Sequence, residues 1–336
     1  MIKFNNIVLA KAFKAEEGAT LAAEINSAIT VAGRRVVIID HPPTQGLVPL
    51  IDALATAGAE VYLRDHHGDS DRDGTTVALC RKILGDRAVV STRAANPACA
   101  SLVGLGEFRN DIVVADTDQD GVTAALKAVG ISYPELDADA AVLDGPGASK
   151  TKEALSSLGF AFVRAWGAIP SFGAPNRDTV FVDVVGAFAS AIVGEQSGVN
   201  MLDKLAVEYE GKVTSAKALA ATAKLIAPSV RFVDASTAGP FDPPTLAAEL
   251  DRDVTVSVRK ISTGPIAGKP GGFGAQVSLA RTKQGEQIGL DLAKLVPADW
   301  ARGPEHGVIS NTPFLLHLSP EKWEAFRPIL LARCLS

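Results

Sequence analysis

The 336-residue chain holds only three cysteines, Cys80, Cys99 and Cys334, far apart and without a C-x-x-C pair. That scarcity excludes a disulfide-stapled scaffold and a zinc site built on thiolates, and it reads as reduced packing thiols in a cytoplasmic protein. Positive charge is also in short supply. Lys and Arg number 33 against 38 Asp and Glu, for a net charge of −5 and a pI near 5.6. Gripping long DNA needs several clustered cations, so long DNA is excluded as a partner. No uninterrupted apolar run reaches the roughly 18 residues that a membrane span needs. The opening MIKFNNIVLA is too short and too broken by Asn5 and Asn6 to read as a signal peptide. Internal repeats and low-complexity segments are missing as well. What is present, 47% hydrophobic and 21% charged residues, suits a folded chain that buries real cores. At this length about two domains are expected.

Short runs rich in Val and Ile recur at 36–40, 60–63, 87–90, 112–115, 140–143 and 160–163. Ala/Leu-rich segments such as 47–57 and 121–129 lie between several of them. Strand and helix in alternation predict an α/β domain over 1–175, with a mostly parallel sheet and helices on both faces. Residues 179–227 contain no proline and carry apolar residues at mixed helical spacing. They predict two or three helices, and so a helical connector over 176–238 that is also a candidate homodimer interface. Residues 239–336 read as a smaller C-terminal α/β domain with strands over 254–261 and 276–282.

Several of the predicted strands end at or near an aspartate: Asp40, Asp65, Asp116 and Asp144. In open parallel sheets the ligand crevice lies at these carboxyl ends. Of five histidines, two are adjacent in Asp65-His66-His67. Imidazole beside carboxylate suits Mn, Fe or Zn, although the same tripeptide would also serve as a polar turn. Asp116-Thr117-Asp118-Gln119-Asp120-Gly121 puts three carboxylates on alternate residues, where they can converge on a cation. An EF-hand loop would need Glu at its twelfth position, which is Lys127, and should follow a helix rather than a strand. A haloacid-dehalogenase-type phosphatase is an alternative reading of Asp116-x-Asp118, weakened by Asp120 where that family carries Thr or Val. Asp40-His41-Pro42-Pro43 adds another carboxylate, in a sequence that is also ordinary turn chemistry. Residues 268–275 (GKPGGFGA) form a glycine-rich turn able to offer backbone N–H groups to a phosphate, without the G-K-[ST] of a P-loop.

Taken together these residues resemble the DHH phosphoesterase superfamily, which includes RecJ-like and nano-RNase-like enzymes. Asp116–Ala125 (DTDQDGVTAA) is close to its first motif, Asp40 stands where its second would be, and Asp65-His66-His67 is its third. Asn96–Ser101 resembles the small-residue segment that follows DHH, and 257–276 resembles the superfamily's C-terminal substrate-binding domain. The motif order is unusual, because the Asp116 motif follows DHH. Either the fold is permuted, or residues 7–22 are a degenerate first motif and Asp116 is the later, fourth aspartate. Phe273 also replaces the His of the superfamily's G-G-x-H-x-x-A loop.

The resemblance implies a metal-dependent hydrolase of a short nucleotide or oligonucleotide phosphoester. It implies two Mn²⁺ ions per protomer, with Mg²⁺ or Co²⁺ as substitutes. Asp40, His66, Asp116 and Asp118 would be metal ligands, and Asp65, His67 and Asp120 would act in catalysis. Arg93, Arg259, Lys269, Gly271 and Gly272 would bind substrate, with the glycine loop facing the aspartates across a cleft between domains. The alternative from another class is a non-catalytic nucleotide-binding or assembly protein with a degenerate site.

Overall fold

Val36, Val37, Ile38 and Ile39 run without a polar break, and all four are fully buried. A strand apolar on both faces belongs in the middle of a parallel sheet covered by helices. In the computed structural model, which describes residues 2–10, 12, 14–71, 74–144, 150–170, 176–261, 276–301, 306–311 and 314–334, that is where they lie. The chain divides into two compact units: Met1–Ile169 with Asp178–Ala206, and Pro170–Arg177 with Val207–Ser336.

The first unit begins with β1 (Ile2–Phe4), β2 (Ile7–Leu9), α1 (Ala15–Ala28), β3 (Arg35–Ile39), α2 (Leu47–Thr56) and β4 (Glu60–Asp65). It continues through α3 (Thr75–Leu84), β5 (Ala88–Val90), β6 (Ile112–Ala115), α4 (Gln119–Ala128), α5 (Leu136–Leu143), α6 (Ser157–Trp166) and α7 (Arg177–Ile192). Its sheet order is β1-β2-β6-β3-β4-β5, parallel from β2 onward, with β1 antiparallel at the edge. Alternation along β3 and β6 sends Val36, Ile38, Ile112 and Val114 to one face, under the buried residues of α1 and α2. Val37, Ile39, Val113 and Ala115 face the other core, shared with α4, α5, α6 and α7.

The long α8 (Gln196–Ala220) carries the division between units, at Ala206 and Val207. The second unit contains β7 (Lys224–Ala227), β8 (Val230–Ala235), α9 (Pro243–Leu250), β9 (Val256–Ile261), β10 (Gln276–Arg281), α10 (Lys283–Gln287) and α11 (Leu292–Leu295). It ends with β11 (Val308–Asn311), β12 (Leu315–Leu318) and α12 (Pro320–Cys334). The sheet order is β11-β12-β10-β9-β8-β7, with only the β8–β9 pair parallel. One face packs Val256, Val258, Val277 and Leu279 against Trp323, Phe326 and Leu330 of α12. The other packs Val233 against Leu246 and Leu250 of α9.

Three sequence expectations change here. Residues 140–143 and 160–163 are helical, within α5 and α6, because a short apolar run does not distinguish a buried strand from a buried helix. Lys224–Ala227, expected at the end of a helical stretch, is an edge strand. Nor does 176–238 form a separate connector. Phe181, Val184, Val185 and Phe188 of α7 are buried in the core of the first unit, where Phe188 stacks on Phe162 with centroids 3.9 Å apart. Among the described residues no helix is long and apolar enough to cross a membrane.

The α1–α2 contact is tight enough to require glycine. A Cβ on Gly18 would lie 2.1 Å from the Gly46 carbonyl oxygen and 2.9 Å from the Leu50 nitrogen. Gly18→Ala should therefore cost about 1–3 kcal/mol, since backbone rather than a flexible side chain must move. Gly211→Ala, on an open face of α8 with nothing within 4 Å, should be neutral or stabilising by about 0.4–1 kcal/mol. Urea unfolding of the two variants beside the parent chain measures both.

Candidate metal centre

Parallel register aligns the ends of three adjacent strands. Ile39 is paired with Ala115 of β6 on one side and with Arg64 of β4 on the other. The residues that follow, Asp116, Asp40 and Asp65, therefore sit on neighbouring strands about 4.8 Å apart. Backbone hydrogen bonds carry the alignment past the strand ends, from Asp40 N–H to the Arg64 carbonyl (2.9 Å) and from Asp116 N–H to that of Ile39 (3.3 Å). Asp40 has φ 57°, a left-handed conformation that Asp tolerates better than most residues.

The sheet order accounts for the unusual motif order. β6 is last of the three in sequence yet lies between β2 and β3, so the Asp116 motif reaches Asp40 although it follows DHH in the chain. The N-terminal segment keeps a strand and a helix, β2 and α1. Its described residues nearest the strand end, Ala10 and Ala12, are buried and offer no ligand atom. Ala12 N–H instead donates to His41 Nε2 (3.1 Å), which makes His41 a support for this loop.

His66 and His67 are anchored differently. His66 Nδ1 lies 2.9 Å from the Asn96 carbonyl, to which it donates, so the bare Nε2 is the other ring nitrogen. That Nε2 stands 3.2 Å from Asp40 Oδ1 and 3.4 Å from Asp120 Oδ2. His67 Nδ1 is 2.8 Å from Asp65 Oδ1, while Asp65 Oδ2 accepts the His67 backbone N–H at 2.9 Å. Its Nε2 is 2.7 Å from Arg93 Nη2. Arg93 in turn grips Asp144 through Nε (2.8 Å) and Nη2 (3.1 Å).

The loop from β6 into α4 supplies the other carboxylates. Asp116 is buried, and its Oδ1 accepts from Thr117 N–H at 2.6 Å. Asp118 caps α4 by accepting from Gly121 N–H at 2.8 Å. A Cβ on Gly121 would lie 2.7 Å from the Asp116 carbonyl oxygen, so glycine is needed here for close approach. Asp120 is buried and takes the Cys99 N–H at 2.7 Å.

Among the described residues, atoms able to ligate a metal ion fall into three overlapping groups, each within 4.8 Å: Asp40 with His66 and His67, His66 with Asp120 and Asp144, and Asp40 with Asp116 and Asp118. Both Asp40 oxygens, His66 Nε2 and Asp120 Oδ1 are buried without a hydrogen-bond partner. Burial, more than any neighbour, pushes the Asp40 carboxyl well above the usual carboxylate range, and the charges of Asp120, Asp118, Asp116 and Asp65 push it further. Burial raises Asp120 likewise, against the hydrogen bond from Cys99. Burial lowers His66, which keeps its ring neutral and its Nε2 an acceptor.

The structure thus brings together Asp40, Asp65, His66, His67, Asp116, Asp118, Asp120 and, at its rim, Arg93. Asp144, a strand-end residue in the sequence reading, is the C-cap of α5 and joins the cluster. Lys150 gave no sequence signal. Its Nζ donates to Gln119 at 2.5 Å, and burial lowers its pKa while Asp118, Asp144 and Asp120 oppose that. Arg259 lies on β9 of the second unit. Lys269, Gly271, Gly272 and Phe273 lie outside the described residues.

A pH dependence follows. Asp40 and Asp120, raised in the folded chain, keep protons that the unfolded chain loses above about pH 4. The folded state then binds more protons, so metal-free stability falls as pH rises from there through the raised values. In excess chelator the melting temperature should drop as pH rises above the ordinary carboxylate range, and Asp40→Asn should flatten that drop, since its amide carries no proton to lose and tolerates the same backbone. A wild-type melting temperature that climbs over this range would contradict the reading.

No family model matches the chain, and no curated protein matches it. Among solved structures it is similar to a pGpG-specific phosphodiesterase, PggH from Vibrio cholerae, at 10% identity and TM-score 0.37, over 90% of this chain and 98% of that one. It is also similar to the DHH domain of a member of a family of ribosomal proteins, at 12% identity and TM-score 0.46, over 96% of this chain and 74% of that one.

Proposed function

We propose that this chain is a divalent-metal-dependent phosphoesterase acting on a short nucleotide or oligonucleotide. One observation carries the reading: buried polar atoms of Asp40, His66 and Asp120 face one another without a hydrogen-bond partner. Unsatisfied buried acceptors are costly, and carboxylates packed together repel, whereas a cation answers both at once. The donor set fits more than one ion, because Asp40 is shared between a carboxylate group with Asp116 and Asp118 and a histidine group with His66 and His67. Mixed oxygen and imidazole donors suit Mn²⁺, with Mg²⁺ or Co²⁺ as substitutes. A haloacid-dehalogenase-type reading would leave His66 and His67 without a part.

Bound there, divalent ions supply a nucleophile from water near neutral pH and neutralise charge on the phosphoryl oxygens. The side chains have separable tasks. Asp40, Asp116, Asp118 and His66 hold the ions, and the Asn96 carbonyl and Cys99 N–H orient His66 and Asp120. Asp65 takes His67 Nδ1–H, so the atom His67 can turn to a substrate is Nε2, whose lone pair meets Arg93 Nη2–H. Arg93 stands beside that nitrogen, steadied by Asp144, as a cation for the phosphoryl group.

Elemental analysis of the chain loaded with Mn²⁺ should find about two ions per protomer, and hydrolysis of a dinucleotide such as pGpG should require them. Asp116→Ala and His66→Ala should each lower that rate by at least about 100-fold and reduce the metal content. A chain that takes up no divalent ion, or variants that keep the full rate, would sink the proposal.

A further inference from the structure

A centre built from carboxylates repels a phosphoester unless positive charge offsets it, so the basic groups beside the cluster bear on how a substrate is held. Arg93 and Lys150 are held in opposite ways. Arg93 commits two nitrogens, since Nε and Nη2 both reach Asp144 and Nη2 also lies 2.7 Å from His67 Nε2. Lys150 commits less. Its Nζ donates to Gln119 Oε1 at 2.5 Å, and among the described residues no carboxylate stands within ion-pair distance of it. An ammonium carries three N–H donors, so two remain.

The anchor sets where those donors lie. Gln119 opens α4 between Asp118 and Asp120 and is buried, so it fixes Nζ beside the turn that supplies both carboxylates. The charges acting on Lys150 are those of Asp118, Asp144 and Asp120. Asp118 belongs to the group with Asp40 and Asp116, whereas Asp144 and Asp120 belong to the group with His66. Lys150 therefore stands beside both groups and is a member of neither. A lysine kept only to neutralise these carboxylates would pair with one at contact distance. Lys150 is instead half-buried, at a cost in hydration, and tethered by a neutral amide. Its remaining donors are the counterpart of the unpartnered atoms of Asp40, His66 and Asp120. A cation answers those atoms, and an anionic oxygen answers the ammonium.

We propose that Lys150 contacts a non-bridging oxygen of the scissile phosphoryl group, with Gln119 holding it in position. The proposal rests on the phosphoesterase reading and adds a substrate-contacting residue to it. The part Lys150 plays is electrostatic: two N–H donors offset negative charge on that oxygen, and no proton changes hands. Such a role has a signature of opposite sign for two ligands. A fixed positive charge beside the cluster disfavours a metal cation and favours a phosphate anion.

The test compares the full parent chain with Lys150→Met and Lys150→Gln. Each is titrated calorimetrically with Mn²⁺ and then, once loaded, with GMP, the monoester expected as product from pGpG. Both variants should bind Mn²⁺ as tightly as the parent or more tightly. Both should bind GMP at least about tenfold more weakly, the loss of one charge-assisted contact, and kcat/KM for pGpG should fall by at least as much. Lys150→Gln can still hydrogen-bond Gln119, so a merely structural tether would survive in it while the charge is lost. Variants that keep the parent's GMP affinity and rate, or that lose Mn²⁺ together with GMP, would overturn this proposal alone. A parent chain that takes up no Mn²⁺ would overturn the phosphoesterase reading, and this proposal with it.

Discussion

The first unit is organised around three carboxylates held at adjacent strand ends by parallel pairing. Once Ile39 is paired with both Ala115 and Arg64, Asp40 has no choice of neighbours. The pairing is secured by apolar residues buried on both faces, so the electrostatic repulsion at the strand ends is borne by hydrophobic packing elsewhere. Nothing local favours this arrangement. Asp40 is in a left-handed conformation, its oxygens lack donors, and burial works against its charge. Local disadvantage concentrated at one point, in a unit otherwise well packed, is the pattern expected where geometry serves a ligand rather than the fold.

The supports around the cluster are mostly backbone. The Asn96 carbonyl fixes the His66 ring, Cys99 N–H holds Asp120, and Thr117 and Gly121 N–H hold Asp116 and Asp118. Backbone partners have few conformational alternatives once the surrounding segments are packed, so they place side chains more firmly than flexible partners would. Each holds one atom of a side chain in the cluster and leaves the other uncommitted to it.

This division explains what was legible in the sequence. β3, β4 and β6 could be read because Val- and Ile-rich runs end in aspartate, and Asp65-His66-His67 and Asp116-x-Asp118-x-Asp120 carry their chemistry in consecutive residues. The helices at 140–143 and 160–163 were hidden by apolar runs too short to show a period. The insertion of β6 beside β3 was hidden as well, since strand order is decided by long-range packing and not by spacing. Arg93 could be picked out as a cation. Its attachment to both His67 and Asp144, 26 and 51 residues away, could not be read. Lys150 had no motif around it, and its place beside Gln119 comes from the fold alone.

The adjacent histidines show how a dipeptide acquires two environments. Both rings are buried, and they lie edge to face with centroids 4.4 Å apart, so burial and proximity do not distinguish them. The partner of Nδ1 does. A carbonyl holds His66, accepts one proton and adds no charge, so the ring stays neutral and its Nε2 turns to two carboxylates as a lone pair seeking a cation. A carboxylate holds His67, while its Nε2 accepts from a guanidinium at the rim. The tripeptide Asp65-His66-His67 is therefore incomplete as a motif without the Asn96 carbonyl, which lies 30 residues further along the chain and completes the pair of anchors.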